Sequence, residues 1–223
     1  MFEQIKNPFG QYKDRHFGKS AILFGSGPTI TNFRTTKNII KVGLNEQIYL
    51  DLDLDYWFMG DTFPRNYNKF INCFNDYNEY KPRLAKFIRY QTWGPRGRMP
   101  LGMKHSAYYL CDAGGNSGVC LFKKDISVGN IIDVSSISFE ALQFMLYAGM
   151  KTIYLVGHDC DYSFGTFRTE VQEKDEGQYV LRYWKIVKGW IEENYPDVKI
   201  CCINPVALNI FEEVTEADIV END

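Results

Sequence analysis

The chain has 223 residues, of which 45% are hydrophobic and 16% aromatic, and its formal net charge is -3. This length and composition predict one large globular domain and exclude an intrinsically disordered chain. The small negative charge gives no general attraction to nucleic acid, so we do not expect nucleic acid as a partner.

Membrane and metal signals are weak throughout the sequence. No apolar run approaches the roughly 20 residues that cross a bilayer, and the polar first ten residues differ from a signal peptide. The six cysteines form no CxxC pair and no zinc-type spacing with the three histidines. These patterns predict a cytoplasmic protein with reduced thiols, no transmembrane segment and no metal site.

The first strong signal is a short apolar run that ends in glycines. Residues Ala21 to Phe24 suit a strand buried on both faces, and Gly25-Ser26-Gly27 then lets a ligand approach the backbone closely. Pro28 suits the first turn of a helix, whose free N–H groups would face the ligand with the hydroxyls of Thr29 and Thr31. Such a turn attracts phosphate, although a tight turn without a ligand explains the same residues.

Polar residues close the next two predicted strands. Residues 38–45 end at Asn45, and residues 55–61 end at Asp61. Because the carboxyl ends of strands form the ligand crevice of open α/β sheets, both side chains would lie beside the glycine turn. The alternative is that they are ordinary residues of strand-terminating turns.

The middle of the chain departs from a regular alternation of strands and helices. Residues 64–77 fit a helix and residues 84–90 fit a strand. The segment 91–118 is rich in glycine, proline and basic residues, which predicts a loop-rich insertion that acts as a flap or a small subdomain. A solvated basic loop is the alternative.

The clearest helix signal lies between Ser135 and Tyr147. Ser135 or Ser136 suits its N-cap, and Gly149 suits its end. A buried strand is predicted at 152–156, and it leads directly into Gly157-His158-Asp159-Cys160-Asp161-Tyr162. This unit therefore brings polar groups to both a helix start and a strand end.

The last third of the chain predicts a helix, a strand and a tail. Residues 178–195 form an amphipathic pattern whose aromatic face is most simply explained as core. Residues 198–205 predict a strand, and the acidic residues 212–223 predict a frayed, solvated tail. The alternation of elements predicts an α/β protein with a single domain over 1–223 and a candidate lid at 163–178.

Two motifs, G-x-G-P-[ST]-[LI] at 25–30 and G-x-K-x-I-Y-L-x-G-x-D at 149–159, occur here in a specific order. Asn45 lies between them, and Ile203-Asn204-Pro205 follows the last predicted strand. The series, from residue 20 to residue 208, resembles the bacterial sialyltransferases of the Campylobacter lipooligosaccharide type. It also resembles the wider group that shares their core, which includes flagellin-glycosylation proteins and archaeal hydroxymethylpterin pyrophosphokinases.

The resemblance implies a Rossmann-like, mostly parallel sheet with helices on both faces that binds a nucleotide without a metal. The residues that would hold CMP are Gly25, Ser26, Gly27, Pro28, Thr29 and Asn45. The helix start would contribute Ser135, Ser136 and Ser138, and the second motif would contribute Gly157 and Asp159. Tyr162 is the nearby tyrosine that could steady the phosphate.

Two departures from that family concern the chemistry. Asp61 stands where those transferases carry an asparagine, and a carboxylate repels phosphate unless it binds a hydroxyl or a metal. The family also uses a histidine base in its lid, but residues 163–190 contain no histidine. The nearest is His158, whose unperturbed pKa of about 6.5 suits a general base, with Asp159 or Asp61 as a substitute. A structural histidine that fixes the loop is an equal alternative.

Three functions follow from these patterns. The favoured one is a glycosyltransferase that moves the sugar of a nucleotide sugar, of CMP-sialic-acid type, to the hydroxyl of a glycan acceptor, with no firm cofactor. The second is a pyrophosphokinase-like enzyme that uses Mg²⁺ at Asp61, Asp159 and Asp161. The third is a binding or accessory protein without catalysis. An exposed aromatic surface on the last helix would hint at a homo-oligomer.

Overall fold

The computed structural model describes residues 7–60, 84–89, 106–114, 121–134, 136–161, 163, 165 and 174–223. Within these ranges the strands are β1 (Ser20–Phe24), β2 (Ile40–Leu44), β3 (Tyr56–Met59), β4 (Ala85–Arg89), β5 (Ser106–Tyr109), β6 (Cys111–Ala113), β7 (Ile131–Asp133), β8 (Thr152–Val156), β9 (Lys199–Ile203) and β10 (Glu212–Val214). The α-helices are α1 (Ile137–Tyr147) and α2 (Lys174–Asn194). Short 3-10 helices lie at Gly10–Tyr12, Pro28–Asn32, Asn45–Tyr49 and Glu216–Asp218.

Eight strands form one sheet in the order β10-β9-β8-β1-β2-β3-β4-β5, and every neighbouring pair in it is parallel. Strands β6 and β7 form a separate parallel pair. The predicted α/β fold with a mostly parallel sheet is therefore confirmed. The chain builds one half of the sheet outward from β1 and then returns to β8 on its other side. This change of direction makes the carboxyl ends of β1 and β8 the topological switch point, where open α/β sheets bind ligands.

Both faces of the sheet are buried. Strand β1 is buried at all five positions, as its apolar run predicts. Helix α1 covers one face, where it contacts β1, β2, β3 and β7. Its Phe139 packs on Trp184 of α2 with ring centroids 4.8 Å apart. Because α1 lies between the sheet and α2, all eleven of its residues are buried.

The C-terminal residues do not form the frayed tail that the acidic composition predicts, and that prediction is wrong. Strand β10 pairs with β9, and Ile219 is buried. The Asn222 side chain accepts a hydrogen bond from the Ser20 N–H at 2.7 Å and donates one to the Ser20 carbonyl at 2.9 Å. The chain end therefore closes the amino-terminal edge of β1 because an asparagine amide supplies both groups of a backbone pair.

Several predicted segments are described only in part. The helix expected at 64–77 lies outside the described residues. In the expected insertion at 91–118, residues 106–114 contain β5 and β6. The candidate lid at 163–178 overlaps the first turns of α2, which begins four residues before the helix that the sequence predicts. In the described ranges, no helix has the length and hydropathy needed to cross a bilayer.

Candidate functional site

The switch point is built from two glycine turns that interlock through their backbones. Gly25, directly after β1, donates its N–H to the Val156 carbonyl at 2.7 Å, and Gly27 donates to the Gly157 carbonyl at 2.7 Å. A Cβ on Gly25 would overlap the Gly157 carbonyl, and Gly157 has a positive φ of 71°. Glycine is thus required at both positions for the close approach of the two turns.

Asp159 fills the inner side of the first turn. Its carboxylate accepts hydrogen bonds from the Thr29 backbone N–H at 3.1 Å and from the Thr29 hydroxyl. A Cβ on Gly27 would overlap this carboxylate, so Gly27 makes room for Asp159. Burial raises the pKa of Asp159, while the two bonds from Thr29 act in the opposite direction.

The start of the segment after Pro28 differs from the expected ligand-facing helix. It is a five-residue 3-10 helix, and both donors of Thr29 are committed to Asp159. The Thr31 hydroxyl donates to the Pro28 carbonyl at 2.8 Å. The donors of both threonines are therefore directed at the chain's own carboxylate and carbonyl, and their contact with a ligand stays a prediction. Ser26, Gly27 and Pro28 remain half-buried at the surface of the turn.

Asn45 and Gln47 join the ends of the next strands to this turn. The Asn45 side-chain oxygen accepts the Gly60 N–H at 2.9 Å, and Asn45 has a positive φ of 43°. The buried Gln47 donates to the Ser26 hydroxyl at 3.2 Å and accepts the N–H of Leu44. The ends of β1, β2 and β3 therefore lie together along one edge.

The start of α1 lies at the same carboxyl edge of the sheet, where Ile137 packs beside Gly60. Ser136 is the N-cap, as one of the two sequence-predicted candidates, and its hydroxyl accepts the Ser138 N–H at 3.3 Å. The two hydroxyl oxygens of Ser136 and Ser138 are 3.1 Å apart. The predicted site residues Asp61, Ser135 and Tyr162 lie outside the described residues.

His158 lies beneath the glycine turns. Its imidazole hydrogen-bonds to the Leu23 carbonyl and packs edge-on against Trp184 at 5.5 Å. Within the described part of the chain, its Nε2 is buried and has no hydrogen-bond partner. Burial lowers the pKa of His158 to about 4, so the ring is neutral near pH 7 but is a weak base. These observations favour a structural role over the general base that the sequence also allows.

A second polar group at this edge was not predicted from the sequence. Arg89, the last residue of β4, lies 2.5 Å from the Asp133 carboxylate and 3.0 Å from Glu140. The Tyr109 hydroxyl donates to Glu140 at 2.5 Å, and Arg89 also donates to the Gly60 carbonyl at 3.3 Å. Arg89 could have been found by the rule that identified Asn45, since both close a strand at the carboxyl edge.

Glu140 is the buried carboxyl of this group. Glu140 lies in the first turn of α1 and is fully buried. Burial raises the pKa of Glu140 to about 7, although Arg89 acts in the opposite direction. Among the described residues, no group of three or more histidine, cysteine or acidic side chains could hold a metal ion.

Structural comparison finds similar solved proteins, although no protein-family model and no curated protein matches the sequence. One similar structure is the sialyltransferase CST-II in complex with a trisaccharide acceptor and CMP, at 15% identity and a TM-score of 0.52. The match covers 92% of this chain and 91% of that one. A second is CstII from Campylobacter jejuni with cytidine-5'-monophosphate, at 15% identity, a TM-score of 0.52, and 93% and 91% coverage. A mutant of the alpha-2,3/8-sialyltransferase CstII matches at 14% identity, a TM-score of 0.51, and 92% coverage of both chains. At this identity the likeness shows a shared fold.

Proposed function

We propose that this protein is a glycosyltransferase that binds a nucleotide sugar at the switch point and transfers the sugar to an acceptor hydroxyl. The observation that carries the proposal is the convergence of the Gly25–Gly27 turn, Asn45 and the start of α1 at the carboxyl ends of β1, β2 and β3. The structural likeness to sialyltransferases that were solved with CMP supports a donor of the CMP-sialic-acid type.

The proposed division of roles follows from the geometry of the edge. Ser26 and Gly27 present the surface of the glycine turn to the nucleotide, and Asp159 holds that turn in shape through Thr29. The hydroxyls of Ser136 and Ser138 stand at a helix start, where hydrogen-bond donors favour a phosphate. Stabilising the charge of the departing nucleotide in this way lowers the barrier to transfer.

A second candidate is a binding protein that keeps the nucleotide site without catalysis. The burial of His158 and its lowered pKa favour it, because a general base works best with a pKa near the working pH. The Mg²⁺-dependent pyrophosphokinase alternative depends on Asp61, which lies outside the described residues, and on Asp159, whose carboxylate is held by Thr29.

Calorimetric titration of the purified protein tests the proposal. The ligands are CMP, CMP-sialic acid, UDP, GDP and ATP, each with Mg²⁺ and with EDTA. We expect the cytidine compounds to bind most tightly and independently of Mg²⁺. A Ser26→Ala variant is expected to bind CMP about tenfold more weakly, because it loses one hydrogen-bonding hydroxyl. Ser127→Ala is the matched control, because the Ser127 hydroxyl donates to the exposed Asp125 carboxylate of its own loop, about a hundred residues along the chain from Ser26.

The outcome separates the two candidates. Cytidine-nucleotide binding together with hydrolysis or transfer of the donor supports the transferase. Binding without turnover, in the wild type and in His158→Ala alike, supports the binding protein. Absence of binding by every nucleotide contradicts both.

A further inference from the structure

The polar group beside the glycine turn has features of a carbohydrate subsite. We propose that Arg89 and Asp133 bind hydroxyl groups of a neutral part of the sugar substrate and that buried Glu140 positions Arg89 for this task. The inference rests on the proposed function in placing this subsite next to the nucleotide. We call Arg89, Asp133 and Glu140 the Arg89 cluster.

The position of the cluster links it to the nucleotide site. Arg89 ends β4, Asp133 ends β7, and Glu140 belongs to the first turn of α1. Arg89 contacts the carbonyl of Gly60, whose N–H is held by Asn45. Gly60, at the end of β3, therefore joins the cluster to Asn45, which the sequence assigns to the nucleotide site.

Burial within the cluster is graded from the surface inward. The Asp133 side chain is 30% exposed, the Arg89 side chain is 14% exposed, and Glu140 is fully buried. A ligand can thus reach the outer carboxylate and the edge of the guanidinium, whereas Glu140 acts only through its neighbours. Its Oε1 lies 3.0 Å from Arg89 as an ion pair, but it accepts no well-aligned hydrogen bond from the described residues.

The charges of the cluster favour hydroxyls over anions. Among the described residues, one guanidinium faces two carboxylates, so these three groups together carry no net positive charge when Glu140 is ionised. A carboxylate accepts hydrogen bonds and a guanidinium donates them in fixed planar directions. Together they match two neighbouring hydroxyls of a sugar ring, one of which donates to Asp133 while the other accepts from Arg89.

The positioning role of Glu140 makes sugar binding depend on pH, which a purely structural residue would not do. Among the described residues, the groups that face it besides Arg89 and Asp133 are the hydroxyl of Tyr109, which hydrogen-bonds to it, and the thiol of Cys111. When Glu140 ionises, it competes with Asp133 for the guanidinium of Arg89, so the Asp133 carboxylate becomes a stronger acceptor for a ligand hydroxyl. Sugar binding should therefore strengthen as the pH rises through the pKa of Glu140, which is about 7.

The test compares the affinity for a nucleotide sugar with that for its parent nucleotide, using CMP-sialic acid and CMP, UDP-glucose and UDP, and GDP-mannose and GDP. For the pair that binds, Asp133→Asn should weaken the nucleotide sugar about 10- to 100-fold, as expected for loss of a charged hydrogen bond, and change the parent nucleotide less than about twofold. Asp112→Asn is the matched control, because Asp112 lies on the paired strand β6 and forms an exposed ion pair with Lys123. Equal losses for sugar and parent nucleotide in Asp133→Asn would overturn the proposal.

Glu140→Gln tests the positioning role. The wild-type affinity for the sugar should rise as the pH passes about 7, and the variant should lose this dependence while it keeps its affinity for the parent nucleotide. A variant with the wild-type pH profile would contradict the role of Glu140.

A direct measurement keeps this inference separate from the proposed function. Methyl glycosides of glucose, galactose and mannose, at millimolar concentration, should perturb the amide signals of residues 89 and 131–140 in heteronuclear NMR spectra. If no nucleotide binds, the proposed function fails, and the subsite is judged by these spectra alone. Perturbation confined to other parts of the chain, or absent, overturns the subsite.

Discussion

The carboxylate of Asp159 is held by both the backbone N–H and the hydroxyl of Thr29, a residue 130 positions earlier in the chain. This contact joins the turn after β1 to the turn after β8, on the two sides of the switch point. The motif glycines therefore have a structural cause that is independent of any ligand: Gly27 makes room for the carboxylate, and Gly25 allows the two turns to touch.

Loss of this contact should destabilise the fold. Thr29→Val keeps the shape of the side chain but removes the donor hydroxyl, so the buried Asp159 loses a charged hydrogen bond. We expect the free energy of unfolding to fall by about 1.5–3 kcal/mol in urea denaturation. Thr31→Val is the control, because Thr31 is exposed, and it should stay within about 0.5 kcal/mol of wild type. Equal effects of the two variants would contradict the importance of the Asp159 contact.

The need for glycine at position 25 can be tested by comparison with Gly189, where an added Cβ meets no described atom. Gly25→Ala places a Cβ on the Gly157 carbonyl and should cost about 2–3 kcal/mol of stability through overpacking. Gly189 lies exposed in α2, and no described atom comes within 4 Å of a Cβ added there. Gly189→Ala should therefore stabilise the protein by about 0.5–1 kcal/mol through helix propensity. Thermal unfolding of both variants checks the opposite signs, and a stable Gly25→Ala protein would refute the backbone contact.

The parts of the fold that could be predicted from the sequence are those with a strong local signal. Strand β1 is a run of apolar residues, and α1 combines a serine N-cap with a glycine end, so both were found nearly to the residue. Strand β10 was missed because its residues are Glu212, Glu213 and Val214, and pairing with β9 alone makes them a strand.

In the candidate site, too, residues with a local sequence signal were predicted and residues brought together by the fold were not. The glycine turns and Asn45 were found because each lies at the end of a recognisable strand. The Arg89 cluster was missed because its members come from three separate segments, and no local pattern shows that they meet. The hydrogen bonds from Thr29 to Asp159 could not be predicted either. The sequence suggests a ligand anion at this turn, but in the structure the carboxylate of a distant turn takes that place.

The C-terminal residues should contribute to stability in spite of their acidic composition. Asn222→Ala removes the side-chain amide that pairs with both backbone groups of Ser20, and it should lower the free energy of unfolding by about 1–3 kcal/mol. Val220→Ala is a nearby control, because the Val220 side chain is 59% exposed and its loss should cost less than about 0.5 kcal/mol. Chemical denaturation of the two variants distinguishes a docked chain end from a frayed one.

The titration of His158 provides the last prediction. Its pKa in the folded protein is about 4, below the unfolded value of about 6.5, so folding favours the neutral ring. The resulting stability is fully present above pH 6.5 and is lost as the pH falls toward 4, because the unfolded chain then binds the proton more readily. Burial of Glu140 acts with the opposite sign in an overlapping range, since its pKa is raised to about 7 and its stabilising effect is lost as the pH rises. A curve of stability against pH therefore reports the titration of both groups together.

NMR titration of the imidazole signals separates His158 from Glu140. A His158 midpoint near 4 supports the buried, structural ring, whereas a midpoint near 6.5 would restore His158 as a candidate general base.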